Sequence, residues 1–185
     1  MPSRVRRQAV AIVEQGPEAV AGLFDLTSHR LVRLSTTITR NQHDGEDAVQ
    51  VCLTAVAACP DRLVDAANPW AYLLQMVRNE SLKILRARKR ITMVASLADL
   101  LIVRRVDEVE RAETHHAIWL ALRKLPTQQS EVIVLKIWES MTFAEIAACL
   151  ELSPSTVASQ YRYGMRKLDV LLRDETGRPI AEVLS

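Results

Sequence analysis

Glycine is scarce in this chain: five residues in 185. With so few, no glycine-rich loop that cradles phosphate is present. Aromatic residues make up only 4%, so any core must be aliphatic. No run approaches the ~20 consecutive apolar residues that a membrane-spanning helix needs. Behind the basic start Met1-Pro2-Ser3-Arg4-Val5-Arg6-Arg7, Glu14 interrupts the short apolar stretch, so no secretory signal is read there. The three cysteines, Cys52, Cys59 and Cys149, are an odd number in apolar, helix-like settings. That pattern predicts buried, reduced thiols and a cytoplasmic location rather than a disulfide framework. The net charge is only +2, so affinity for nucleic acid must come from local clusters and not from a global field.

What the chain does have is Ala, Leu, Arg and Glu, the helix formers. Apolar residues recur at three- and four-residue steps throughout, and no strand-like alternation or internal repeat is present. Pro17 opens a helical pattern to about Arg40, with Val20, Leu23, Phe24, Thr27, Leu31, Leu34 and Ile38 as its stripe. After the turn cluster Asn41–Gly45 comes a second helix, with Ala48, Val51, Cys52, Ala55 and Val56 expected inward. Asn68 as cap and Pro69 in the first turn start a third. Its stripe is Trp70, Leu73, Leu74, Val77, Ser81, Ile84 and Leu85. The pattern blurs over 91–107, which reads as a flexible linker. A second helical block covers 108–173, with Val132, Ile133, Leu135 and Ile137 as core of its middle helix and a loose tail over 174–185. The expected fold is all-α: two small helical domains, 17–90 and 108–173, the second ending in a helix-turn-helix.

The helix-turn-helix is written in two start signals about eleven residues apart. Thr142 with Glu145 three residues on is a capping box. Ser153 followed by Pro154 is a second N-cap with proline at the first helical position. Ile146, Ala147, Leu150, Leu152 and Val157 form the apolar set, and small Ala147 lets the two helices approach. Glu151 stands in the turn where glycine is common, so either Glu151 accepts a left-handed backbone or the turn has another shape. Such a pair fits the major groove. In the last helix Val157, Tyr161, Met165 and Leu168 are expected inward. Its outward candidates for DNA are Ser155, Thr156, Ala158, Ser159, Gln160, Arg162, Tyr163 and Arg166. Gln suits adenine and Arg suits guanine or phosphate. With so few charges, this helix would work as one arm of a multi-point grip.

The third helix carries the second nucleic-acid candidate. Arg78, Lys83, Arg86, Arg88, Lys89 and Arg90 face a single acid, Glu80, with Asn68, Trp70, Tyr72, Gln75 and Asn79 upstream. Cations hold phosphates and rings stack on unpaired bases; the plainer alternative is a solvated basic face with Trp70 in the core. The second helix is acidic at its start. Asp44, Glu46 and Asp47 suit a helix N-terminus without any partner, whereas Gln50, one turn on, does not follow from that. Enzyme chemistry is not indicated: adjacent His115 and His116 point about 100° apart on a helix and do not make an i, i+4 metal pair. Nor does any serine sit in a nucleophile elbow. No metal and no cofactor are expected.

Taken together, the two halves resemble the extracytoplasmic-function sigma factors, over roughly Leu23 to Leu172. The resemblance rests on Gly45-Glu46-Asp47-Ala48-Val49-Gln50, Pro69-Trp70-Ala71-Tyr72-Leu73 and Val77-Arg78-Asn79-Glu80. In the second half it rests on Ala121–Pro126, Glu131–Leu135, Phe143–Ala147 and Ser155-Thr156-Val157, all in order. It implies core RNA polymerase as partner, with Glu46, Asp47 and Gln50 at the β′ clamp helices and the second domain on the β flap. It implies that the third helix and the segment about Asp61 to Asn68 engage the −10 promoter element, where an unstacked base is captured. The −35 element would be read by the last helix. Many members are also held by an anti-sigma factor; the sequence itself names no such partner. The chain departs from the family at Ala158 and Gln160, often Lys or Arg, at Tyr163-Gly164, often Arg-Ala, and at Gly45, usually Ala and here read as a mild change. An autonomous operator-binding regulator and a non-DNA adaptor remain as alternatives. The first leaves the Glu46-Asp47-Gln50 cluster and the basic third helix unexplained.

Overall fold

Val5, Ala9 and Ile12 recur at four- and three-residue steps close to the N-terminus. In the computed structural model, which describes residues 1–95 and 113–176, they are the buried face of a helix the sequence reading did not include, α1 (Pro2–Gln15). Pro2 suits the first turn, where its missing N–H leaves no bond unmade. Gly16, at φ 86°, ends the helix in a conformation that glycine adopts without strain. A 3-10 turn, Pro17–Ala19, leads into α2 (Val20–Thr39). Then follow α3 (Gln42–Ala58), a short α4 (Asp61–Asp65) and α5 (Pro69–Ala95). The expected loop between the second and third helices is therefore partly helical. The expected linker 91–107 begins inside α5, and most of it lies outside the described residues.

The second block holds α6 (Glu113–Lys124), α7 (Thr127–Ile137), α8 (Phe143–Leu150) and α9 (Pro154–Thr176). The expected tail starts within α9, and 177–185 are outside the described residues. No strand occurs among the described residues, so the all-α class holds. The chain divides into two compact units, Met1–Arg104 and Arg105–Ser185.

In the first unit α2 is central. Leu23, Leu31, Leu34 and Ile38 are fully buried or nearly so, as are Leu73, Leu74 and Val77 of α5. Each such aliphatic side chain contributes about 1.5–3 kcal/mol of burial. The Ser35 and Ser81 hydroxyls among them are satisfied locally. Ser35 and Ser81 meet at 2.6 Å, and Ser81 donates to the Val77 carbonyl at 2.7 Å. Phe24, Val51 and Ala55 do not point inward as expected. Phe24 and Val51 are 51% and 52% exposed, and Ala55 is exposed too. The distal part of α3 is apolar around most of its circumference (Val49, Val51, Cys52, Leu53, Ala55, Val56), so periodicity alone cannot fix its phase. The buried line runs through Ala48, Val49, Cys52, Leu53 and Val56.

Gly45 is not a mild change here. A Cβ at Gly45 would lie 2.6 Å from Thr36 Oγ1 and 3.1 Å from the Thr36 backbone nitrogen. The α2–α3 approach is closer than an alanine allows.

In the second unit α7 is enclosed, with every residue from Ser130 to Leu135 buried. Ile137, expected in the core, is only half-buried, and Val134 takes a core position instead. The Trp119 and Trp138 rings pack at 5.2 Å. Gly164 lets α9 settle against α7: a Cβ there would lie 2.9 Å from Ile133 Cδ1 and 3.1 Å from Gln129 Cβ. Tyr161 and Met165 sit at the edge of the packed face, which is carried by Val157, Gly164, Leu168 and Leu172.

Candidate nucleic-acid and partner interfaces

Both helix starts of the helix-turn-helix form as their residues dictate. Thr142 Oγ1 accepts from the Glu145 backbone N–H at 3.2 Å, and the Glu145 carboxylate accepts from the Thr142 backbone N–H at 2.7 Å. These bonds, with the Thr142 hydroxyl, hold the Glu145 carboxyl below its ordinary range. Ser153 Oγ caps α9 by accepting from the Thr156 N–H at 3.1 Å, and its oxygen also meets the Ser155 and Thr156 hydroxyls. Between the helices Glu151 takes the left-handed conformation, φ 57° and ψ 44°. Of the two turn shapes left open by the sequence, the chain adopts the strained one, at about 1–2 kcal/mol for a non-glycine residue.

With 3.6 residues per turn, Ser155, Ser159, Arg162 and Arg166 form one outward stripe on α9, opposite Val157, Gly164 and Leu168. Tyr163 flanks the stripe at 47% exposure. The Arg166 and Arg162 guanidiniums lie 4.9 Å and 5.7 Å from its ring centroid. Thr156 and Gln160 lie on one shoulder of the helix and Ala158 on the other. On the inner side Tyr161 packs on Phe143 of α8 at 5.5 Å, and the Lys136 ammonium covers Phe143 at 5.2 Å.

On α5 the structure separates the candidates. Asn68 Oδ1 accepts from the Ala71 N–H at 3.1 Å and caps the helix. Tyr72, Gln75, Asn79, Lys83 and Arg86, at steps of three and four, share the solvent-facing line, and Arg78 lies on its flank. Lys83 pairs with Glu80 at 2.6 Å. Trp70 is on the opposite side, 3% exposed, with the Arg30 guanidinium 5.3 Å from its ring centroid. It belongs to the core, the plainer of the two sequence readings, and in this conformation offers no face to a base. Arg88 also lies off the solvent line. Five turns beyond Trp70 it shares that residue's helical phase but is exposed, and it makes a bidentate ion pair with Asp44 at 2.8 and 2.9 Å. The side chains of Lys89 and Arg90 are outside the described set.

That pair anchors the start of α3, where Asn41 Oδ1 accepts from the Asp44 N–H at 3.1 Å. Glu46, Asp47 and Gln50 are all exposed, and Glu46 accepts from the Gln42 amide at 2.9 Å. Asp47, Gln50, Val51 and Thr54 run along one outward face. Beside it Val20, Phe24, Gln50, Leu53, Thr54 and Ala57 line a shallow groove. Phe24 and Val51 were missed as surface residues because they match the apolar period; only the packing shows them open. Cys59 is likewise exposed, against expectation, while Cys52 and Cys149 are buried. Burial pushes the Cys52 thiol up to about 12, with the nearby Glu80 charge adding to it.

Comparison with known proteins decides the family. The family Sigma-70 region 2 matches residues 23–91, and Sigma-70, region 4 matches residues 115–168. The ECF RNA polymerase sigma factor SigM of Mycobacterium tuberculosis (strain ATCC 25618 / H37Rv) is 31% identical over 145 residues, 78% of this chain and 70% of the relative. The chain belongs to the extracytoplasmic-function sigma factors. The RNA polymerase sigma-E factor of Streptomyces avermitilis is 27% identical to this sigma factor over 139 residues, 75% of the chain and 76% of the relative. Among solved structures, the sigma factor RpoE in complex with the anti-sigma factor NepR from Bartonella quintana matches with a TM-score of 0.71 at 22% identity. It covers 84% of this chain and 96% of that one. CnrH in complex with the cytosolic domain of CnrY matches with a TM-score of 0.60 at 23% identity, over 92% and 98%. At such identities these likenesses speak for the fold. As a sigma factor the chain is a DNA-binding transcription initiation factor that works with core RNA polymerase on promoters. An operator-binding regulator would need only the second of the two matched regions, and it is not favoured. Among the described residues no helix is long and apolar enough to cross a membrane.

Proposed function

We propose a division of labour among three surfaces of this sigma factor. The outward face of α3, with Glu46, Asp47 and Gln50, docks on the β′ clamp helices of core polymerase. Exposed Phe24 and Val51 beside Gln50 support a protein partner there, because acids flanking open apolar side chains repel phosphate and suit a partner helix. The α5 line of Tyr72, Gln75, Asn79, Lys83 and Arg86, with Arg78 at its flank and the segment 61–68 before it, engages the −10 element. The α9 stripe of Ser155, Ser159, Arg162 and Arg166, with Thr156, Ala158, Gln160 and Tyr163 around it, reads the −35 element while the second unit sits on the β flap. Residues 91–107 connect the two.

The observation that carries this reading is the pairing in one chain of two separate basic-polar helix faces with an acidic-apolar third. Neither DNA face is charged enough to bind tightly alone, since affinity scales with the number of phosphates neutralised. Held together on a larger enzyme, each raises the effective concentration of the other. The work is binding and strand opening in the cytoplasm, with no catalytic residue and no cofactor of its own. An anti-sigma factor covering these faces would silence the chain. Purified chain mixed with core polymerase lacking its specificity subunit should form a stable holoenzyme and start transcription at promoters sharing two spaced elements. Asp47→Lys should weaken core binding roughly tenfold, about 1.4 kcal/mol, with helicity unchanged. Absence of a holoenzyme would overturn the reading, and normal core affinity of Asp47→Lys would remove the α3 placement.

A further inference from the structure

The N-terminal helix α1 lies outside the residues matched by either family region, yet it touches the part of the first unit assigned above to the −10 element. The Arg6 guanidinium donates to the Ala66 carbonyl at 2.6 Å and to the Ala67 carbonyl at 3.3 Å. Those carbonyls close α4, whose C-cap is Ala66, and the next residue, Asn68, is the N-cap of α5. One side chain thus holds both peptides that set the angle between α4 and the promoter-facing helix.

The seat of α1 is built to keep Arg6 in place. Val5 and Ala9 are fully buried on either side of it in sequence, and Ile12 is 2% exposed. Gly22 of α2 faces the end of the Gln8 side chain, whose Oε1 would lie 2.5 Å from a Cβ there. The apolar face alone accounts for the docking of α1. Arg6 adds little to it, since it is an exposed cation and such groups contribute little to stability. Its two bonds instead satisfy carbonyls at the end of a five-residue helix that makes few of its own.

We infer that Arg6 is a positioning residue for promoter opening: α1 acts as a brace that fixes the Ala66–Asn68 peptides so that the α4–α5 segment meets the −10 element in one orientation. This rests on the assignment of residues 61–68 to that element. Preorganisation of a binding segment acts on the step that uses it, not on the fold. A residue without direct DNA contact can therefore change opening while leaving assembly alone.

The test uses holoenzyme reconstituted with the full chain. Arg6→Ala, Arg6→Lys and Arg62→Glu are compared for core binding, for open-complex formation on duplex promoter, and for binding to a template already unpaired through the −10 element. Arg62 is an exposed charge on α4, so Arg62→Glu tests the segment itself. Arg6→Ala should lower duplex opening about five- to tenfold, about 1–1.4 kcal/mol, with core affinity and thermal midpoint unchanged. Discrimination against single-base changes in the −10 element should shrink, and the pre-opened template should recover most of the loss. Arg6→Lys, with a compact ammonium in place of the planar guanidinium, should fall between. Unchanged opening by Arg6→Ala while Arg62→Glu is impaired would overturn the brace alone. Unchanged opening by Arg62→Glu would overturn the assignment of the segment. An equal loss by Arg6→Ala on the pre-opened template, or a lowered midpoint, would reduce Arg6 to a structural residue and overturn the inference.

Discussion

Gly45→Ala should destabilise the first unit, although alanine is the better helix former. Replacing glycine inside a helix gains about 0.8–1 kcal/mol of propensity. Against that, the new Cβ would lie 2.6 Å from Thr36 Oγ1, 3.1 Å from the Thr36 nitrogen and 3.3 Å from its Cα. The hydroxyl has no hydrogen-bond partner in the structure and loses little by turning away, but a β-branched side chain in a helix has few rotamers to turn into. The backbone atoms can yield only if α2 and α3 separate. Overpacking of this kind costs ~1–3 kcal/mol, so the net expectation is a loss of about 1 kcal/mol. For a unit of this size that is roughly a 4–8 °C drop in midpoint. Calorimetry should place the shift in the transition of the first unit, leaving that of the second unmoved. Thr36→Ala removes the shortest contact and a buried hydroxyl, so Gly45→Ala should be less harmful in that background, by about 0.5–1 kcal/mol of coupling. Because Gly45 directly precedes Glu46 and Asp47, proposed above to meet the clamp helices, core polymerase affinity should fall with the midpoint. A rise in midpoint by the full propensity gain would refute the close-approach argument.

Three further outcomes are expected. Arg166→Ala should reduce the salt dependence of holoenzyme binding to promoter by about one phosphate contact, whereas Tyr163→Ala, which removes the ring beside that guanidinium, should weaken binding without changing the slope by that amount; filter binding across salt concentrations reads both. Glu145 is held below its ordinary value near 4.5, so its stabilising bonds are fully present above that pH and are lost as the pH falls through the depressed value; Glu145→Gln should flatten this part of the acid limb in urea titrations, and Thr142→Ala should cost about 1 kcal/mol at neutral pH. With Cys59 exposed, Cys52 and Cys149 buried and the Cys52 thiol pushed up to about 12, a colourimetric thiol reagent should find one fast group in native protein and three in denaturant; a fast group surviving in Cys59→Ser would contradict the burial pattern.

Where local chemistry was unambiguous, the sequence was readable to the residue. The Thr142/Glu145 box, the Ser153 cap and the Asn68–Pro69 start each depend on side chains that bond within one turn, so no tertiary information was needed. Phase along an apolar helix was not readable in this way. Val51 and Phe24 fit the helical period yet lie open, because period identifies a stripe but cannot say which of two adjacent apolar stripes finds a neighbour. Trp70 and Arg88 were grouped with the DNA candidates by composition, and the packing separates them: Trp70 is buried and the exposed Arg88 is tied to Asp44. Helix α1 was missed for the opposite reason. Its buried line of Val5, Ala9 and Ile12 is only three residues long and is masked by four polar or basic neighbours, and Arg6 acquires its meaning only through carbonyls sixty residues away.

The bidentate pair of Arg88 with Asp44 has a practical consequence for genetics. It fastens the far end of one working helix to the opening turn of another, so the two surfaces share a hinge-pin. Under the division of labour proposed above, a substitution at Asp44 should read out as a defect in both enzyme assembly and template handling, and screens that sort variants by a single phenotype will misfile it.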